Sequence, residues 1–182
     1  MKQAVTRNPT EPVYDTEGRT PISGGYYYND GPFKYYNPVA MQNESTNETL
    51  DREFSGSVHA SLKIIDPLKI NALASLLETN TRNGYYQTQY YPIDFGTNGR
   101  ATSTNSQSSS KQFEVNADFN HSFGDHKIQA IAGYSYYDYW NERYYGMNYG
   151  YDTDIFSFYN MGAGSALSAG KASLPVTSSP IN

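Results

Sequence analysis

The sequence predicts an all-β chain, made of antiparallel hairpins from a transmembrane β-barrel with long loops between them. Three observations carry this expectation. Apolar residues recur at every second position in two pairs of segments. Tight turns lie on one side of those pairs and long polar stretches on the other. Tyrosine occurs 19 times in 182 residues.

The tyrosines stand in for ordinary greasiness. Only 37% of residues are apolar and 17% charged, with a mean hydropathy of -0.71. Tyrosine has an apolar ring and a polar tip, so it suits boundaries that are dry at one end and wet at the other. An outer-membrane barrel has two such aromatic girdles and large wet loops. The net charge is -5 and no Lys/Arg cluster occurs, so nucleic acid is not expected as a partner. Cysteine is absent, which excludes a disulfide framework and any thiolate site. Met1 to Val5 lead into no apolar run, so no signal peptide is expected, and an exported barrel without one is expected to be incomplete. No stretch approaches the length of a transmembrane helix.

Residues 1–50 are expected to be an extracellular loop region, because Pro9, Pro12, Pro21, Pro32 and Pro38 with Gly18, Gly24, Gly25 and Gly31 punctuate it densely. Residues 51–82 are expected to form a hairpin. Phe54, Gly56, Val58, Ala60, Leu62 and Ile64 alternate there with Ser55, Ser57, His59, Ser61 and Lys63. A turn at Asp66–Pro67 follows, and Leu68, Ile70, Ala72, Ala74 and Leu76 continue on a second strand. Residues 83–109 read as a second extracellular loop; the tract from Ser103 to Ser110 is too polar to order itself alone. Residues 110–140 carry the sharpest alternation, with Phe113, Val115, Ala117, Phe119 and Phe123 set against Gln112, Glu114, Asn116, Asp118 and Asn120. Gly124-Asp125 is a two-residue hairpin signal, and Ile128, Ala130, Ala132, Tyr134 and Tyr136 follow it. Residues 141–182 read as a third extracellular loop.

Each strand is long enough to cross a bilayer, which takes roughly 9–11 tilted residues. Short turns on one side and long loops on the other are the asymmetry of an outer-membrane barrel. Periodicity alone also allows an antiparallel β-sandwich, and a secreted carbohydrate-binding sandwich stands as the alternative. Loop length and the tyrosines after the fourth strand favour the barrel.

Several segments then bear a resemblance. Asn8-Pro9-Thr10-Glu11-Pro12-Val13-Tyr14-Asp15 with Gly18, and Asn37-Pro38-Val39-Ala40, resemble stretches of SusC/RagA-type TonB-dependent transporters. So do Phe54-Ser55-Gly56-Ser57, Leu68-Lys69-Ile70-Asn71, His126-Lys127-Ile128 through Ala132-Gly133-Tyr134-Ser135-Tyr136, and Tyr159-Asn160 with Gly162 and Gly170-Lys171-Ala172. The segments occur in the family's order over nearly the whole chain. The resemblance implies a large plugged barrel in the outer membrane, working with a SusD-like lipoprotein. It implies TonB-driven import of oligosaccharide or peptide, with the TonB contact made by regions outside this chain. A passive porin would share the alternation but lack the segments at 8–18 and 37–40.

Candidate sites are few. Loop tyrosines could stack on substrate: Tyr26, Tyr27 and Tyr28 first, then Tyr85 and Tyr86, then Tyr144 and Tyr145. Packing between loops, or against the lipoprotein, is the plainer role for each. Glu114, Asn116 and Asp118 are expected to face the lumen, since charge is tolerable only next to water. Tyr134, Tyr136 and Trp140 are expected to form an aromatic girdle against lipid. Asp152 and Asp154 have a spacing two calcium ligands could use, but no calcium loop surrounds them. His59, His121 and His126 lack metal spacing, so no metal and no cofactor are expected. Gly164 to Lys171 is one residue too long for a phosphate loop, and the two N-x-S/T triplets at Asn43 and Asn47 are short enough to be chance. No serine sits in a nucleophile elbow, and Glu114 and Asp118 are about 13 Å apart along a strand. That separation is too wide for a glycosidase pair. The chain is not expected to be an enzyme.

Overall fold

A computed structural model describes residues 2–18, 23–29, 35–93, 97–168 and 176–180. The expectations that rest on residues 170–172, the last segment of the resemblance and the phosphate-loop spacing, lie outside them. Four long strands form the body: β1 (Ser45–Ile65), β2 (Leu68–Gln87), β3 (Arg100–Phe123) and β4 (His126–Tyr149). A short β5 (Val176–Pro180) joins them in a single sheet of order β1-β2-β3-β4-β5. No helix among the described residues is long and apolar enough to cross a membrane.

The two hairpin turns fall where the sequence places them, at residues 66–67 and 124–125. Gly124 takes a φ of 60°, the left-handed conformation a tight turn requires. The far ends differ from expectation. β1 begins at Ser45, inside the first expected loop, and β2 runs past 82 to Gln87. β3 starts at Arg100, so the Ser103–Ser110 tract is strand, not loop. β4 continues past 140 to Tyr149, and β5 lies in the third expected loop. The cause is that β3 sits between β2 and β4. Its backbone groups pair on both sides, so a polar run needs no apolar face of its own to stay ordered.

The strands pass through two compact units. The first comprises Met1–Leu50, Arg82–Asn105 and Tyr144–Val176; the second comprises Asp51–Thr81, Ser106–Arg143 and Thr177–Asn182. The first unit holds the packed core, where Tyr86, Ala101, Tyr151 and Phe158 are buried together with Met161 against them. Three short helices belong to it, α1 (Lys2–Thr6), α2 (Pro38–Asn43) and α3 (Ser165–Ser168). Asn37 caps α2: its Oδ1 accepts from the Val39 amide at 3.1 Å, while its Nδ2 donates to the Val13 carbonyl at 2.7 Å. That second bond ties the helix to the 13–15 segment, which pairs with 25–27 through the Tyr14–Tyr26 bridge.

The second unit is a sheet one layer thick. Phe54, Val58, Leu62, Phe113, Phe123 and Ile128 are all exposed. The β-sandwich alternative needs a second sheet on this apolar face, and the described residues contain none. An apolar sheet face left open in this way calls for an apolar solvent.

Candidate functional site

Side-chain contacts sort the second unit into two faces. On one, the Ser61 hydroxyl donates to Asn71 Oδ1 at 2.8 Å, and Asn71 Nδ2 donates to Asn116 Oδ1 at 2.9 Å and Asp118 Oδ2 at 2.7 Å. This ladder crosses β1, β2 and β3. Gln112 Nε2 donates to Glu114 Oε1 at 2.7 Å, and the Ser110 hydroxyl donates to the Tyr137 oxygen at 3.2 Å. Gly133 of β4 backs onto Asn116, where an added Cβ would lie 3.2 Å from the Asn116 Cβ. Glu114, Asn116 and Asp118 therefore share one hydrophilic surface. Residues of alternate parity, Val58, Phe113, Tyr134, Tyr136 and Trp140 among them, occupy the opposite face. The structure thus places Tyr134, Tyr136 and Trp140 with the exposed apolar side chains, and on a different face from Tyr137.

The first unit is built around the segment after β4. Asn148, whose side chain is fully buried, donates from Nδ2 to the carbonyls of Met161 at 2.7 Å and Gly164 at 2.8 Å. Its Oδ1 accepts from the amides of Tyr149 at 2.9 Å and Leu167 at 2.8 Å. One side chain thereby pins the segment from Tyr149 to Leu167. Asp154 accepts from the Tyr86 hydroxyl at 2.7 Å and the Gln89 amide at 3.3 Å. Its carboxylate is a staple between strand and loop, and no group of three or more metal-ligating side chains occurs among the described residues. Tyr86 and Tyr151 meet edge to face at 5.5 Å. The Tyr159 hydroxyl donates to Glu48 at 2.7 Å, and that bond holds its phenol above the ordinary tyrosine range.

Phe158 packs on Gly84 so closely that an added Cβ would lie 2.2 Å from its ring. Gly84→Ala is expected to cost about 1–3 kcal/mol by overpacking. The same substitution in a Phe158→Ala background is expected to cost almost nothing. A double-mutant cycle read by protease protection of residues 150–168 checks it; equal losses in both backgrounds would refute the contact.

The seven candidate tyrosines divide. Tyr26 stacks on Tyr14 at 5.8 Å and its hydroxyl accepts from Asn43, while Arg7 lies over the Tyr27 ring at 5.8 Å. Tyr28 is half-buried beside them. Tyr86 is only 2% exposed, so its ring has no face to offer a substrate. Because Gly84 and Asn148 meet the loop segment, Tyr85 and Tyr145 project from the other side of their strands, and Tyr144 from the covered side. Tyr85, Tyr86, Tyr144 and Tyr145 are strand residues, not loop residues. Sequence reasoning missed Asn148, Gly84 and Phe158, since nothing local marks a residue whose partners arrive from a later loop.

No family model matches the chain. The chain is similar to TonB-dependent receptor P3 of Formosa agariphila, with 26% identity over 128 residues, covering 70% of this chain and 13% of that receptor. Its fold is similar to the RagAB peptide importer in the closed-closed state, at a TM-score of 0.69 and 19% identity. A structure of the RagAB peptide transporter matches at a TM-score of 0.70 and 20% identity. Each structural match covers 84% of this chain and 17% of the matched one. The chain thus spans under a fifth of the length of its relatives, and its antiparallel sheet shares its fold with part of the two solved structures. The resemblance read from the sequence is borne out, and the matched proteins are named as receptor, importer and transporter.

Proposed function

We propose that this segment is part of the wall of a TonB-dependent outer-membrane transporter of the SusC/RagA type, and that the whole protein imports bulky nutrients. One observation carries the reading: a single-layer sheet with a hydrogen-bonded polar face and an open apolar face. Lipid satisfies the apolar face and a water-filled lumen the polar one. Glu114, Asn116 and Asp118 then line the lumen, and Tyr134, Tyr136 and Trp140 form the girdle. The described residues beyond the strand ends, at 2–18, 23–29, 35–44, 88–93, 97–99 and 150–168, then lie outside the cell. Of the candidate tyrosines, Tyr85 and Tyr145 are the ones left to meet a substrate from the strands, with Tyr26, Tyr27 and Tyr28 meeting it from the first loop region. The cargo is a peptide or an oligosaccharide, held under a SusD-like lipoprotein; the peptide is favoured by the names of the two matched structures.

Uptake by cells carrying the intact protein tests this. Labelled peptide or oligosaccharide mixtures are expected to enter only while TonB is functional, and a SusD-like lipoprotein is expected to co-purify. Uptake that survives loss of TonB would favour the passive porin instead.

A further inference from the structure

The apolar face of the second unit carries a polar cavity. Phe54, Glu78, Ser109 and Trp140, one from each long strand, contribute to its wall, together with Arg52, Asn80 and Gln107. They surround an open space of about 370 Å³. Ser55, Ser57, Ser110 and Gln112 line a separate cavity with side chains of the other parity, on the polar face. Two cavities thus occupy opposite sides of one sheet, and only the second belongs to the lumen reading.

The first cavity is chemically unfinished. Arg52 and Glu78 stand in it without an ion pair or a side-chain hydrogen bond, and Asn80 and Gln107 likewise have no side-chain partner. The Ser109 hydroxyl is buried and unpartnered. Buried polar atoms rarely stay unpaired, so the Ser109 oxygen asks for a ligand group, and the exposed Arg52 and Glu78 side chains beside it have charges to offer the same ligand. The charges here oppose each other, which suits neither a phosphate nor a metal ion. A ring of hydroxyls fits better. The carboxylate and carboxamide oxygens accept from hydroxyls, while the guanidinium, amide and Ser109 groups donate. The Trp140 indole offers a flat apolar face to the C–H side of a sugar ring.

Position selects the source of the sugar. From the Asp66–Pro67 turn to Phe54 the strand climbs roughly 40 Å at ~3.3 Å per residue. A tilt of about 40° makes that roughly 30 Å of height, just past a hydrocarbon band of about 25 Å. Below the cavity, Val58 and Leu62 continue the same face as an apolar stripe. We propose that the cavity binds a sugar ring in the headgroup of an outer-leaflet glycolipid, whose acyl chains lie along Phe54, Val58 and Leu62. This assignment rests on the membrane reading above.

The test uses the intact outer-membrane protein, purified in detergent, with core-truncated lipopolysaccharide as the probe. Trp140→Ala and Glu78→Gln are compared with wild type by native mass spectrometry, and Gln112→Ala on the polar face serves as control. Each cavity variant is expected to retain about tenfold less glycolipid, the loss expected of a binding hot spot, with Gln112→Ala unchanged. Glu78→Gln keeps shape and volume, so it decides the matter even if Trp140→Ala folds poorly. Equal retention by all variants would overturn the proposal. So would core oligosaccharide, cleaved from its lipid, binding as tightly as the intact glycolipid. Absence of the wild-type protein from the outer-membrane fraction would overturn the transporter reading itself, and this inference with it.

Discussion

Asn148→Asp is expected to cost about 3–5 kcal/mol and to release the segment after β4. The substitution keeps the shape but removes both donors. A carboxylate oxygen then faces the Met161 and Gly164 carbonyls, which Nδ2 now approaches to 2.7 and 2.8 Å. The side chain cannot move away, because an added Cβ at Gly164 would already lie 2.6 Å from Nδ2 and the site has no slack. Protonation would restore one donor, so the folded form would hold its proton above the ordinary aspartate range near ~3.9. The part of the missing stability that one donor can supply should therefore return as pH falls through that raised value, reaching its limit, still short of the Asn148 protein, only below the ordinary one. Amide exchange over 150–167 reads the effect: protection should be lost at neutral pH and partly recovered in acid. Unchanged protection would show that the four Asn148 bonds do not hold the segment.

Val58→Arg is expected to destabilise the membrane-inserted protein by about 2–4 kcal/mol, while Ser57→Arg next to it costs almost nothing. Val58 is 70% exposed on the apolar face, in the stretch between the turn and the cavity row. Ser57 lines the cavity on the polar face with Ser55, Ser75 and Gln112. On the transporter reading proposed above, one residue along a strand exchanges lipid for water, because the side-chain period is two. The comparison is made on the intact protein refolded into lipid vesicles, with folding free energy as the readout. Equal penalties at both positions would contradict a lipid face and a lumen face. A larger penalty at Ser57 would exchange the two assignments.

Much of the second unit is legible in the sequence. Alternation is a local property: each residue in a strand points opposite to its neighbours whatever the partner strand is. Phe54 through Ile64 and Phe113 through Phe123 thus announced two-faced strands, and Gly124-Asp125 announced the turn between β3 and β4. The face shared by Glu114, Asn116 and Asp118 followed from the same rule. Strand ends were not legible. Ser103 to Ser110 carries no apolar pattern, and only the neighbours on both sides make it strand. The ends of β2 and β4 likewise run past the alternating stretches, which puts Tyr85, Tyr86, Tyr144 and Tyr145 on strands, not in loops.

By itself the sequence determined the fold class, the two turns, the two faces of the sheet and the likeness to SusC/RagA-type transporters. All of these rest on interactions within a few residues or on the order of segments along the chain. The tertiary structure alone decided which tyrosines are buried, what Asn148 holds, and that Arg52, Glu78, Ser109 and Trp140 surround one cavity. Those side chains come from four strands, or from a strand and a later loop. Their meeting depends on strand register and on where the chain returns, and neither is written in any local pattern.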